Sequence, residues 1–144
     1  MKDPYQSGMF SGNPYYAKSD ITGSLVVVLR EKLEGRGLSL IKPISRCVQQ
    51  HEIHELILSD EEGIKPGSTV NKVAYFGFTE ITRGGVITVG DEVYSSGKLI
   101  GTIAGFDETH MPNHINIVIS GPRADGAEQG AGVGDAILFK HVPK

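Results

Sequence analysis

Apolar residues in this chain fall in short runs separated by glycine-rich and acidic turns, and several runs alternate with polar positions at the period of a β-strand. Leu25-Val26-Val27-Val28-Leu29 opens the first run. Its β-branched residues favour a strand, although Leu25, Leu29 and Leu33 would also line one helix face. The turn Glu34-Gly35-Arg36-Gly37, followed by alternating Leu38, Leu40 and Lys42, predicts a hairpin joining this run to the next. Further strands are predicted at 55–59, 71–78, 80–88, 92–95, 99–103, 114–120 and 136–141.

One small pattern recurs three times. Pro66-Gly67-Ser68-Thr69-Val70, Val89-Gly90-Asp91-Glu92-Val93 and Val133-Gly134-Asp135-Ala136-Ile137 each place Gly and then Ser or Asp ahead of a strand-like entry. Glycine supplies a positive φ at no steric cost, so each is a predicted tight turn. Tyr94-Ser95-Ser96-Gly97-Lys98 reads as a hairpin loop, and Gly101 and Gly105 as bulges or corners in the returning strand. Such frequent reversals predict an all-β fold with at least seven strands and at most two short helices. The expected architecture is a small closed or partly open β-barrel with short hairpins, spanning 23–144. Residues 1–22 are predicted to form an extended N-terminal arm. Its Tyr5, Phe10, Tyr15 and Tyr16 would pack on the barrel or on a second copy of the chain.

Composition narrows the function without choosing it. The chain has 144 residues, enough for one domain with its own core. A net charge of −3 with scattered Lys and Arg argues against nucleic acid as a partner. No apolar run is long enough to span a bilayer as a helix. The single cysteine, Cys47, forms no internal disulfide, which suits a reducing compartment; a cytoplasmic protein is expected.

Candidate chemistry is sparse. Gly126 to Gly134 is glycine-rich but leads into a strand without a following Lys-Ser or Lys-Thr, so it predicts a mobile surface loop, not a phosphate cradle. His51 and His54, beside Glu52 and Glu55, would share a face only on a helix, and a third metal ligand is missing. His110 and His114 flank Met111-Pro112-Asn113, a loop that could bring the two imidazoles together, with Asp107 and Glu108 near enough for acid/base work. Cys47 reads as a small buried apolar residue. No metal site and no cofactor are expected.

Five blocks carry a family likeness. They are Ile41 to Arg46 with Glu55-Leu56-Ile57-Leu58-Ser59-Asp60-Glu61-Glu62-Gly63; Phe78-Thr79-Glu80-Ile81; Gly85-Val86-Ile87-Thr88-Val89-Gly90; His114-Ile115-Asn116-Ile117-Val118-Ile119; and Gly134-Asp135-Ala136-Ile137-Leu138-Phe139. In order and spacing, from Leu38 to Lys140, the chain resembles the glucitol/sorbitol-specific IIA component of the bacterial sugar phosphotransferase system. That resemblance implies a β-barrel that relays a phosphoryl group through a histidine in a strand just upstream of a Gly-Glu-Leu. The matching stretch here, Ala74-Tyr75-Phe76-Gly77-Phe78-Thr79-Glu80-Ile81, contains no histidine. A phenyl ring offers no lone pair to accept phosphorus. His114 does match a histidine that the family carries at the opening of the later strand.

The expected function is therefore a non-enzymatic ligand-binding or regulatory module that takes an unidentified small molecule or protein partner. Its groove would be lined by Tyr75, Phe76 and Phe78, with Phe76 and Phe78 on one strand face and polar contacts from His110 and His114. The alternatives are a phosphocarrier with its acceptor moved to His110 or His114, a small metal- or acid/base-dependent enzyme using His110, His114, Asp107 and Glu108, and a structural subunit held through the arm.

Overall fold

The computed structural model describes residues 14–143. All regular structure among them is β. The strands are β1 (Ile21–Val28), β2 (Lys32–Leu33), β3 (Leu38–Ser39), β4 (Ser45–Val48), β5 (Ile53–Ser59) and β6 (Thr69–Val70). After them come β7 (Val73–Arg83), β8 (Gly85–Thr88), β9 (Glu92–Ser95), β10 (Lys98–Asp107), β11 (Asn116–Ser120) and β12 (Ala136–Lys140). One sheet runs β1-β12-β9-β10-β11-β5-β7, and β7 pairs back onto β1. The sheet thus closes into an irregular ring, with the short strand β2 added beside β7. Every pairing is antiparallel except β11 with β5.

Inside the ring, Leu25, Leu56, Leu58, Phe76, Phe106, Ile117, Ile119 and Phe139 form the main core. A second, smaller core lies on the outer face, where Leu38, Leu40 and Val70 cover Ile57, Val73 and Val118. This second core corrects one expectation. Leu38 does not fold back on β1 in a hairpin; β3 pairs with β6 instead, while β1 takes β12 and β7 as neighbours. Leu38 of β3 is fully buried there, on the outside of the ring.

The repeated turn has one geometry at all three places. Gly67, Gly90 and Gly134 have φ of 90°, 95° and 96°. The residue after each glycine donates its N–H three residues back and accepts, through its side chain, the N–H of that same residue. The hairpin between β9 and β10 turns on Ser96 and Gly97, both at positive φ. Register shifts fall at Leu99/Gly101 and Ile103/Gly105, so both glycines of β10 mark bulges. The glycine-rich segment is tied down: Gly126 donates to Tyr75, Ala127 to Leu29 and Gly134 to Leu25, and Ala131 packs against the core. A mobile loop does not describe it.

Of the arm, Tyr5 and Phe10 lie outside the described residues. Residues 14–20 run along the ring, held by Lys18 Nζ against Asp91 Oδ2 at 2.6 Å. Strand β1 begins at Ile21, just inside the span expected for the arm.

Candidate functional site

The polar cluster sits on the outer face of the ring where β5, β7 and β11 meet, beside the small outer core. Its arrangement depends on a bulge in β7. Leu56 pairs with Gly77 and Ile57 with Tyr75, so Phe76 is an extra residue with no partner on β5. The inserted residue reverses the alternation. Phe76 points into the ring core, whereas Tyr75 and Phe78 both share the outer face with Ile57 and Glu55. The expectation that Phe76 and Phe78 share a face is therefore wrong, and Tyr75 stands with Phe78. Phe76 does not belong to this site.

The loop after β10 brings the histidines together. Asn113 N–H donates to the carbonyl of His110, a one-turn reversal that stacks the His110 and His114 rings with centroids 5.1 Å apart. Phe78 meets His114 edge-to-face, also at 5.1 Å. Arg36, from the loop between β2 and β3, donates through Nε to Tyr75 Oη at 2.8 Å and lies 3.4 Å from His110 Nε2. A small cleft of about 150 Å³ opens between Ile53, Phe78, Asn113 and His114. Tyr75, Phe78, His110 and His114 thus converge as a group.

Glu55 completes the group. It is buried on β5 with Oε1 3.3 Å from His114 Nε2. Asn113 Nδ2 donates to His114 Nδ1, which leaves the proton of a neutral imidazole on Nε2, directed at Glu55. Burial lowers the His114 pKa below its ordinary 6.5, and the neighbouring His110 adds to that, against the influence of Asn116. Burial raises the Glu55 carboxyl above 4.5, outweighing His110 and Arg36, which favour its charge. Two neighbouring titratable groups are therefore both biased toward their neutral forms. Asn116 lies on the same face, and its buried Oδ1 has no hydrogen-bond partner among the described residues.

The other polar residues have structural duties. Asp107 is buried; burial pushes its pKa up, but hydrogen bonds from Thr109, Ser39 and Asn116 hold it below its ordinary value. Glu108 is paired with Arg46. Neither is free for acid/base work at His110. His54 points inward from β5, with Nδ1 accepting the Ile115 N–H and Nε2 bonded to Glu52. His51 is exposed in the preceding turn against Glu80, so the two histidines diverge. Among the described residues no group of three His, Cys, Asp or Glu side chains is arranged to hold a metal ion. Cys47 is exposed on β4, not buried, because that two-stranded unit with β8 covers only one of its faces.

Sequence reading missed Glu55 and Arg36 as members of the site. A carboxylate inside the apolar run Ile53–Ser59 was the available signal, since strands rarely bury a charge without a use for it. Arg36 gave none: it looked like a turn residue.

The group has a cost that can be measured. Both His114 and His54 have lowered pKa values, so the unfolded chain binds protons more readily as pH falls below 6.5. Their contribution is complete above 6.5 and is lost as pH falls toward the folded values. Glu55 has the opposite sign: its contribution is complete below 4.5 and is lost as pH rises through its raised folded value. Glu55→Gln keeps the shape and an acceptor for His114. It is expected to raise the urea midpoint near neutral pH, with the gain vanishing below pH 4.5; a loss at neutral pH would show that the carboxylate is structural.

A family model matches residues 15–140. The chain belongs to DUF6917, a family of unknown function. No curated protein and no solved structure is significantly similar to it. The match runs from the arm residue Tyr15 to Lys140 at the end of β12, so it includes every strand of the ring and all residues of the polar cluster.

Proposed function

We propose that this DUF6917 protein is a non-enzymatic ligand-binding module, with a small polar molecule held on the outer face of the ring. Phe78 and Ile53 would contact its apolar part, and His114, His110, Arg36 and Glu55 its polar groups. The observation that carries this reading is the buried contact of Glu55 Oε1 with His114 Nε2 at 3.3 Å beside an open cleft, where burial pushes both groups toward their neutral forms. Such groups cost stability, and nothing in the packing of β5 calls for a carboxylate there. Titration of the full chain with a panel of sugar alcohols, sugars and hydroxy acids, followed by amide NMR, tests it. Saturable shifts at Ile53, Phe78 and His114 that disappear in Glu55→Gln and His114→Ala support the reading. Shifts elsewhere, or none, overturn it.

A second reading is favoured by the same pair. Burial biases the Glu55 carboxyl toward its protonated form and the His114 imidazole toward its neutral form at one cleft, and general acid/base catalysis draws on groups of these two types. Chemical change in any of the panel compounds, abolished by Glu55→Gln, would promote it.

The likeness to the glucitol/sorbitol IIA components enters as a shared scaffold put to another use. A relay through His110 or His114 is the rival. His114 is buried and bonded at both nitrogens, and the Nε2 of exposed His110 faces Arg36. Incubation with phosphoenolpyruvate and the general phosphotransfer proteins is expected to leave the mass unchanged. A stoichiometric phosphate adduct lost in His110→Ala or His114→Ala would replace this proposal with the phosphocarrier.

A further inference from the structure

Phe76, turned inward by the bulge, takes part in a different cavity. At one end of the ring, between the β9–β10 hairpin and the glycine-rich segment, lies a pocket of about 220 Å³. Phe76 and Ile100, both nearly fully buried, form its floor, and half-buried Ala131 supplies its accessible apolar wall. Lys98 and Asp135 line the same pocket, as does Ser95. Neither Lys98 nor Asp135 has an ion-pair partner among the described residues. The two opposite charges therefore line one cavity without neutralising each other.

We infer that this pocket is a second binding site, for a small zwitterion with an apolar side group, such as an α-amino acid. The ligand's carboxylate pairs with Lys98 and its ammonium with Asp135, while the side group rests on Ala131 above the buried floor of Phe76 and Ile100. A simple anion would gain from Lys98 but face Asp135, and a simple cation would meet the reverse. Only a ligand bearing both charges satisfies both residues, and each charge-assisted contact is worth enough to separate it from a singly charged analogue. The walls are held in place: Asp135 Oδ2 accepts the Gly132 N–H, Ser96 N–H bonds to Ala136, and Ala131 N–H bonds to Gly126. A pocket built in advance loses less entropy on binding.

The test is amide NMR titration of the full chain with three probes of one shape: leucine, 4-methylpentanoate, which lacks the amine, and 3-methylbutylamine, which lacks the carboxylate. Leucine is expected to give saturable shifts at Ser96, Gly130 and Ala131, and each analogue to bind about tenfold more weakly. Lys98→Met, on the exposed side of a hairpin and so compatible with folding, is expected to bind leucine no better than wild type binds the amine. Asp135→Asn keeps an acceptor for Gly132 N–H and is expected to erase the preference for leucine over 4-methylpentanoate. Equal binding of all three probes, shifts confined to the Phe78–His114 face, or no saturable shift with leucine would each overturn the inference.

Discussion

Replacing Asp91 with Ala is expected to destabilise the protein by about 3–5 kcal/mol, a large part of the roughly 5–15 kcal/mol that holds a domain folded. Asp91 is 1% exposed and serves several groups at once. Its carboxylate accepts from Thr88 N–H and Thr88 Oγ1, which closes the turn into β9. It also receives Lys18 Nζ at 2.6 Å, and His141 Nδ1 lies 3.9 Å away. Removing it leaves the Lys18 ammonium, whose side chain is 9% exposed, without its counter-charge, and leaves the Thr88 N–H without an acceptor. An uncompensated buried charge is the costly outcome, more than the loss of the pair itself. For that reason Lys18→Met/Asp91→Ala is expected to be more stable than Asp91→Ala alone. Urea unfolding measures both. Proteolysis adds a local readout, because residues 14–20 should become cleavable in Asp91→Ala before the ring unfolds. A change in stability below 1 kcal/mol, or a double variant weaker than the single, would show that the contact does not latch the arm.

Gly77→Ala is the second substitution with a large expected effect, about 3 kcal/mol, the upper end of what overpacking usually costs. A Cβ at Gly77 would overlap the carbonyl oxygen of Val27, with Leu25 Cδ1 2.9 Å away. Leu25 could turn aside, but the Val27 carbonyl is backbone and cannot. Strand β1 must then move off β7 at the place where the ring closes, between Val28 and Gly77. The neighbouring bulge sets which way Phe76 and Phe78 point, so the same change should disturb both the ring core and the outer cleft. The checks are a lowered urea midpoint together with amide shifts at His114. A variant as stable as wild type would mean that the bulge is not fixed by the close approach of β1.

Local signals in the chain were sufficient for many of the elements. The Gly-Asp and Gly-Ser entries needed only a positive φ and a short acceptor side chain, both properties of adjacent residues, and all three turns form as expected. The predicted strand at 92–95 coincides with β9, and the run Glu55 to Ser59 lies within β5. His110 and His114 could be placed together because a short loop with proline joins them. The failures share one cause. Strand β1 found its partners in β7 and β12, far along the chain, and Leu38 found β6, so the nearest apolar run was a misleading guide. Asn71 to Phe78 and Glu80 to Thr88 looked like two strands, but Thr79 is buried inside the ring, so β7 continues to Arg83 and breaks at Gly84.

The candidate site divides in the same way. Tyr75, Phe78, His110 and His114 were visible in the sequence as aromatic and imidazole groups in suggestive places. Whether Phe76 joined them depended on one extra residue in a strand, and alternation counted along a sequence cannot register a bulge. Glu55 acquires its role only because β11 lies parallel beside β5 and the loop before β11 sets His114 over it. By itself, then, the sequence determined the strand-rich character, the sharp turns and the absence of a histidine from Ala74 to Ile81, all of which follow from neighbouring residues. Tertiary structure alone decided which strands close the ring, which face each aromatic ring takes, and which charges are buried together. Those depend on contacts between segments far apart in the chain, whose registry no local pattern encodes.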